Sequence, residues 1–446
     1  MKILFSFLLL FLSILTWSQS TTNEPASFYG LGESSARNHG IFDALGKNTI
    51  NIFDSTVLNF YNPSTYNTLS KGNTLYSYGI QSRLSSYSEQ TKTQIGFSGM
   101  LDHICIGMRI KKQMGFAFGL KPFSSRGYNI IDKSYTGFDS LKYIYKGTGA
   151  IQDLFMGYSY GLVYRPKTKL SIGGNASYLF GTIANERQSL LIAPGSNQGG
   201  LNRNSMIIRS FHYELGAYFQ QKFGENHLIS LSAVYLPNQK ISGYYQDEFY
   251  TASNINTLAT YDTLAFSRSR IHILNSSSLQ LGFNYAILLP GLRRQTRVLH
   301  PKLTLLASYS QFGSMSHDAT DLVPDFGMTN FSRMSFGMQF SPETKMMENI
   351  ATLKGLEKIT YRVGYYSQTL PYSKNGIQYE ESAVTFGLGL PILAQMSASS
   401  VNFGFTLGKR TSNQSTGIQE QFAGLNISLI LAPSNFEKWF RQRKLD

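Results

Sequence analysis

From Leu170 to Phe180 the chain alternates. Leu170, Ile172, Gly174, Ala176, Tyr178 and Phe180 fall at one parity, and Ser171, Gly173, Asn175 and Ser177 at the other. The same period returns along most of the sequence, as where Phe116, Phe118 and Leu120 alternate with Ala117 and Gly119. A period of two places successive side chains on opposite faces of a strand. Repeated many times with lipid-compatible residues on one face, it predicts an all-β, transmembrane antiparallel β-barrel with an apolar outer surface and a polar lumen.

About fourteen strands can be read, an even number of the kind single-chain bacterial barrels use. They cover Asn73 to Ser88, Lys92 to Arg109, Phe116 to Lys133 across Pro122, Leu141 to Tyr164, the Leu170 strand, Ser205 to Phe223 and Leu228 to Glu248. The rest are Arg268 to Leu289, Leu303 to Phe312, Thr329 to Ser341, Ile359 to Tyr372, Ile377 to Pro391, Ser399 to Arg410 and Gln421 to Leu431. Gly147-Thr148-Gly149 interrupts the fourth strand, and glycine inside a strand marks a bulge or kink. Connections alternate between short (Gly224-Glu225-Asn226) and long (Leu190 to Asn204, Thr251 to Ser267, Gly313 to Met328). Short periplasmic turns and long extracellular loops give that alternation, with both termini periplasmic. Pro290 to Pro301 and Pro342 to Lys358 are long yet fall on the short-turn side, and the second, with Met346, Met347 and Ile350, is expected to hold a brief helix.

The ends add the compartment. Lys2 and the apolar run Ile3 to Leu15 form a secretory signal peptide, residues 1–18, with cleavage expected before Gln19. Residues 19–72 alternate poorly and are dense in turn formers, including Gly30, Gly32, Gly40, Asn62, Pro63 and Gly72. This segment is expected as a hatch or plug ahead of the barrel at 73–432, either folded into the lumen or extended in the periplasm. Residues 433–446 read as a basic periplasmic tail, with Trp439 and Phe440 as interface anchors and Arg441, Arg443 and Lys444 as charge for the interface or for a docking partner.

Composition agrees with a barrel in the outer membrane. Phe 31 and Tyr 28 against Trp 2 suit strands and aromatic girdles, and a mean hydropathy of −0.16 is what alternation produces when lumen residues dilute lipid-facing ones. A net charge of +14 would suggest nucleic acid in a cytoplasmic protein. Export removes that partner and leaves outer-membrane lipid, an anionic passenger or the periplasm. Cys105 is the single cysteine, so no intramolecular disulfide forms.

Motifs for chemistry are weak. Gly157-Tyr158-Ser159-Tyr160-Gly161 matches the nucleophile-elbow pattern, but that motif needs a strand-to-helix turn and this copy lies inside an alternating strand. His317 beside Asp318 sits in an outer loop, and His39, His227 and His300 fall where neither a hydrolase nor a metal site is expected. Neither metal-ligand spacing nor a phosphate loop is present. No catalysis, cofactor or metal is expected.

Several strings in order resemble the FadL-like (long-chain fatty acid transporter, OMPP1/TodX-type) superfamily, in its Bacteroidota branch. They are Tyr29-Gly30-Leu31-Gly32-Glu33, then Asn62-Pro63-Ser64-Thr65-Tyr66, Gly119 to Tyr128, Tyr145 to Gly149, Leu170 to Gly181, and Lys438-Trp439-Phe440. The resemblance implies a fourteen-stranded barrel with an N-terminal hatch around Asn62, Pro63 and Ser64, the last standing where the family pattern has Ala. It also implies a kinked strand that opens a lateral path, with which Gly147 and Gly149 are compatible. The function so implied is passage of hydrophobic small molecules across the outer membrane through a hatch-gated lumen. The alternative is a Plug or accessory barrel of the type 9 secretion system translocon, a structural role.

Overall fold

The computed structural model describes residues 22–34, 39–70, 74–89, 92–135, 140–192, 199–252, 262–294, 297–318, 328–343, 355–374, 377–392, 399–412 and 419–432. The expected signal peptide and the tail with Trp439, Phe440, Arg441, Arg443 and Lys444 lie outside them.

Fourteen antiparallel strands form a closed wall. They are β1 (Thr74–Glu89), β2 (Lys92–Lys111), β3 (Met114–Ser125 and Tyr128–Tyr135), β4 (Ser140–Tyr164), β5 (Thr168–Ile192), β6 (Gly199–Phe223) and β7 (His227–Leu236 and Gln239–Ala252). After them come β8 (Asp262–Asn275 and Ser278–Leu288), β9 (Lys302–Phe312 and Met315–His317), β10 (Phe331–Ser341), β11 (Thr360–Lys374), β12 (Ile377–Pro391), β13 (Ser400–Ser412) and β14 (Gln419–Leu431). β14 closes on β1 from Tyr76↔Leu431 to Ser88↔Gln419. The alternation read from sequence is the wall itself. Ile172 and Phe180 face out at 47% and 37% exposure, while Ser171, Asn175 and Ser177 are buried inward. Ser159 belongs to the same inward set, paired between Gly115 and Gly173 in a continuous strand. The connection from Pro290 holds a small hairpin, Leu292–Arg294 with Arg297–Leu299, and a 3-10 turn, Gly355–Lys358, precedes β11.

Four strands are interrupted. β3 breaks at Arg126-Gly127, while β7, β8 and β9 break at Pro237-Asn238, Ser276-Ser277 and Gly313-Ser314. In β7, β8 and β9 the half toward the short turns is 10, 11 and 11 residues, about what a tilted strand needs to cross hydrocarbon. Side-chain amides replace the lost ladder bonds. Gln239 exchanges two bonds of 2.8 Å with the Tyr213 backbone, Asn238 accepts from the Ser277 amide at 2.5 Å and Asn330 from that of Ser314 at 2.7 Å.

Residues 39–70 touch strands all round the ring, so they lie inside it. The segment begins with His39 capping a one-turn helix, Gly40–Asp43. It ends in a 3-10 helix, Pro63–Thr68, capped by Asn62, whose Oδ1 accepts from the Ser64 amide at 3.2 Å and whose Nδ2 donates to Ile50 O at 2.7 Å. Pro63 suits its place because the first helical amide would be unpaired in any case. An irregular chain in a lumen must satisfy its backbone locally or from the wall. Asn51 donates to the carbonyls of Phe283 and Ala307, both at 3.0 Å, and Asn284 donates back to Asn51 O at 2.7 Å.

The wall gives this plug room with inward glycines. A Cβ on Gly115, Gly173, Gly364 or Gly404 would come within 3.0 Å of plug backbone. Gly364→Val is therefore expected to cost about 1–3 kcal/mol through forced displacement of the plug. Gly174→Val on the outer face, where a Cβ meets nothing closer than 3.5 Å, serves as control. Denaturant midpoints and the rate of proteolysis within 39–70 measure both variants, and equal losses would refute the seating argument.

Candidate functional site

The leading segment fills the break in β3. β2 pairs with β3 from Ile104 to Lys111; beyond that β3 turns inward and Glu33–Ser34 add a short strand to its edge at Ser125 and Ser124. Arg126 donates to Ser27 O at 2.9 Å and Gly30 O at 2.5 Å, and Glu24 N to Gly127 O at 2.8 Å. Gly30 and Gly32 have φ of +51° and +96°, which allows the chain to double back here. The break expected at Gly147 and Gly149 thus lies one strand away. β4 stays paired with β5 from Ser140 to Gly161. Gly149, at φ +105°, offers its carbonyl to the Arg126 amide at 2.9 Å, so an irregular backbone in β4 lies directly opposite the break in β3.

Above this junction a charge cluster ties plug to wall. Arg410 of β13 pairs with Glu24, Glu33 at 2.7 Å, Glu381 and Glu420 at 3.4 Å. Arg83 of β1 adds Glu420 at 2.7 Å, and Lys47 of the plug reaches Glu381 at 3.1 Å. Four carboxylates meet three cations. Burial pushes the Glu24 carboxyl up to about 8 against the pull of Arg410, with Glu420 and Glu33 adding to the rise.

A second buried link has the outline of a hydrolase triad. His103 donates from Nδ1 to Asp102 at 2.6 Å, its Nε2 accepts from Ser77 Oγ at 2.8 Å, and Ser77 Oγ accepts from His39 Nε2 at 3.2 Å. His39 Nδ1 then accepts from the Ile41 amide at 3.1 Å. Burial, with His103 and Arg362 nearby, holds the His39 imidazole well below its usual range, hence neutral. Ser77 and His103 are 0% and 1% exposed, with Phe60 packed on His103 and Phe42 on His39. The arrangement is a strut between wall and plug, since a nucleophile must be reachable and face an oxyanion donor. Sequence reading missed it because neighbours Asp102 and His103 would normally point to opposite faces. A register shift at Gly79/Ile80 turns both inward. The pair His317-Asp318 serves the wall instead, where Asp318 exchanges hydrogen bonds with the His272 backbone at 2.9 and 3.1 Å.

Between the leading segment, residues 24–34, and the row of interrupted strands lies a cavity of about 150 Å³. Leu31, Phe123, Leu236, Phe312, Met315, Met328, Phe331 and Tyr372 line its apolar part, and Glu24, Glu33, Arg333 and Arg410 its charged side. The Asn62, Pro63 and Ser64 group lies elsewhere in the plug, with Asn62 and Pro63 packed against Gly216 and the Pro63–Ser64 backbone against Gly173.

Because Glu24 is protonated in the folded state up to about pH 8 but only up to about 4.5 when unfolded, its contribution to stability is complete below pH 4.5 and lost as the pH rises through 8. Glu24→Gln is expected to leave stability unchanged at pH 4 and raise it at pH 8.5 by a few kcal/mol. Arg410→Met leaves buried carboxylates unpaired and is expected to cost about 3–5 kcal/mol at neutral pH. Denaturant titrations at the two pH values measure these effects; a pH dependence identical to that of the wild type in Glu24→Gln would exclude Glu24 as its source.

The fold is similar to that of several solved outer-membrane barrels. The toluene transporter TodX of Pseudomonas putida superposes with a TM-score of 0.53 at 13% identity, covering 93% of this chain and 99% of that one. A FadL homologue of Pseudomonas aeruginosa gives 0.52 at 11% identity over 89% and 98%. The toluene transporter TbuX of Ralstonia pickettii gives 0.51 at 10% over 88% and 98%. At such identities the likeness establishes a FadL-like outer-membrane barrel fold. No curated protein matches in sequence. The family model described as BamG matches residues 1–446, and the chain therefore belongs to the BamG family.

Proposed function

We propose that this barrel admits small apolar molecules to the outer membrane, with the cavity above the plug as their holding site. The cavity carries the reading. A space of about 150 Å³ with one side walled by Leu, Phe and Met is of the size that takes up a single benzene-sized ring. It adjoins the junction at β3, where Arg126 grips residues 27 and 30. A shift of this loop would join the cavity to the gap between β2 and β3, which makes the leading segment a gate. Toluene transporters among the structural neighbours support the same reading. The long-loop end then faces outward and both termini the periplasm.

Met328→Trp overfills the cavity by far more than one methylene and is expected to lower binding of deuterated toluene to the purified barrel at least roughly tenfold. Uptake of labelled toluene by cells carrying the variant should fall in parallel. Unchanged binding and uptake would reject the cavity as the site.

A second reading follows from how firmly the plug is held. Its backbone sits against wall glycines, and Lys47 and Glu24 tie it to β12 and β13, which suits a barrel that stays shut within a larger assembly such as a type 9 secretion translocon. Isolation in mild detergent tests this, since a solitary barrel would exclude it.

A further inference from the structure

The outer surface of the wall has a cationic and aromatic patch that neither the plug nor the cavity uses. Register places Phe180 of β5 beside Arg209 of β6, and Ile207 of β6 in one row with Tyr244 of β7 and Arg270 of β8. Arg268 lies 4.4 Å and Arg270 6.0 Å from the centre of the Tyr244 ring. Arg209 stands two residues along β6 from Ile207, the register partner of Tyr244. All three arginines are exposed, and among the described residues none is ion-paired. Acids on these and adjoining strands are engaged: Glu248 accepts from Gln246, Glu186 pairs with Arg203 at 2.6 Å, and Asp318 holds the His272 amide at 2.9 Å. Toward the short-turn end the patch continues as rings. Tyr178 lies 6.2 Å from Phe180 and 5.2 Å from Phe211, which is 78% exposed.

Position separates the two halves. Arg209 lies fourteen residues up β6 from Phe223, beyond the 9–11 or so that a tilted strand uses within hydrocarbon. Phe211 and Tyr213 therefore meet the top of the acyl region, and Arg209, Arg268 and Arg270 stand at head-group level. Three neighbouring guanidiniums repel one another unless an anion lies among them. Arginine's planar fork matches phosphate oxygens, while an exposed phenyl ring is stabilised by lipid chains.

We propose that this patch binds the phosphate-bearing head group of an outer-leaflet lipid. Arg209, Arg268 and Arg270 hold the phosphate, Tyr244 orients two of them, and Tyr178 and Phe211, nearer the short turns than Phe180, pack along the acyl chain. The proposal rests on the long loops facing outward and is independent of the transport reading.

The test uses the full barrel in nanodiscs of neutral phosphatidylcholine, titrated with lipid A and followed by native mass spectrometry. The wild type is expected to retain lipid A. The triple variant Arg209→Gln, Arg268→Gln, Arg270→Gln should bind it on the order of a hundredfold more weakly, and a control, Arg165→Gln with Lys167→Gln at the opposite rim, as the wild type does. Dephosphorylated lipid A should bind weakly, and Phe211→Ala should weaken lipid A but not inorganic phosphate. Undiminished binding by the triple variant, or equal binding of the dephosphorylated lipid, would overturn the proposal. Displacement of lipid A by equimolar inorganic phosphate would overturn the lipid as its source. Because the substituted side chains are exposed, loss of folding is not expected, and heat-dependent gel mobility checks it.

Discussion

The lumen of this barrel is filled by irregular chain, and an irregular backbone away from water must have every amide and carbonyl answered. That requirement shapes the wall as much as the plug. Strands that need only alternate for lipid also carry Asn175, Asn284, Asn426, Ser171 and Glu214 at inward positions, where they meet plug side chains or backbone or one another. Where the plug comes too close for any side chain, the wall has glycine, as at Gly115, Gly173, Gly364 and Gly404. The two parts complete each other: Glu33–Ser34 add the missing rung to β3, and the wall supplies partners the plug cannot find within itself.

Charge gives this fit its direction. Pairing buried ions seldom gains much over an apolar equivalent, but removing one partner is expensive. The cluster at Arg410 therefore fixes where the start of the plug sits more than it adds to stability. Glu24 and Glu33 come from the leading segment, Arg83 and Arg410 from the wall, and the same carboxylates border the cavity. A rearrangement that frees residues 24–33 must expose or re-pair these groups, so the leading segment, the cavity and the charge cluster are one mechanical unit. The strut from Asp102 through His103 and Ser77 to His39 is separate; it anchors the start of the one-turn helix at Gly40.

Much of the wall is legible in the sequence because its signal is local. The strands beginning at Lys92 and Ile377 start where alternation places them, and Ser159 reads as wall from its neighbours alone. The breaks in β7, β8 and β9 give no comparable warning. Pro237 hints at one, but Ser276-Ser277 and Gly313-Ser314 resemble ordinary strand or turn residues. Their meaning depends on adjacent strands stopping at one level and on amides from Gln239, Asn238 and Asn330 closing the gap. Sequence points to Gly147 and Gly149 for the kink because glycine is the visible sign of irregularity. The pairing breaks in β3, opposite these glycines, and the break is filled by a segment about a hundred residues earlier, as in Ser124 to Leu31 and Arg126 to Ser27.

Periodicity along the chain specifies the solvent on each face, most strand positions, the even antiparallel wall and a leading segment that is not part of it. Those properties follow from side-chain periodicity, which a strand imposes on its own residues whatever surrounds it. Which acids and bases share the Arg410 cluster, the convergence of Ser77, His103 and Asp102 in a sealed interior, the place of the cavity and the grouping of Arg209, Arg268 and Arg270 are settled by the closed ring. Each of these joins residues from strands and loops far apart in the chain, and strand register, which brings them together, is set by the closing of the ring and the seating of the plug.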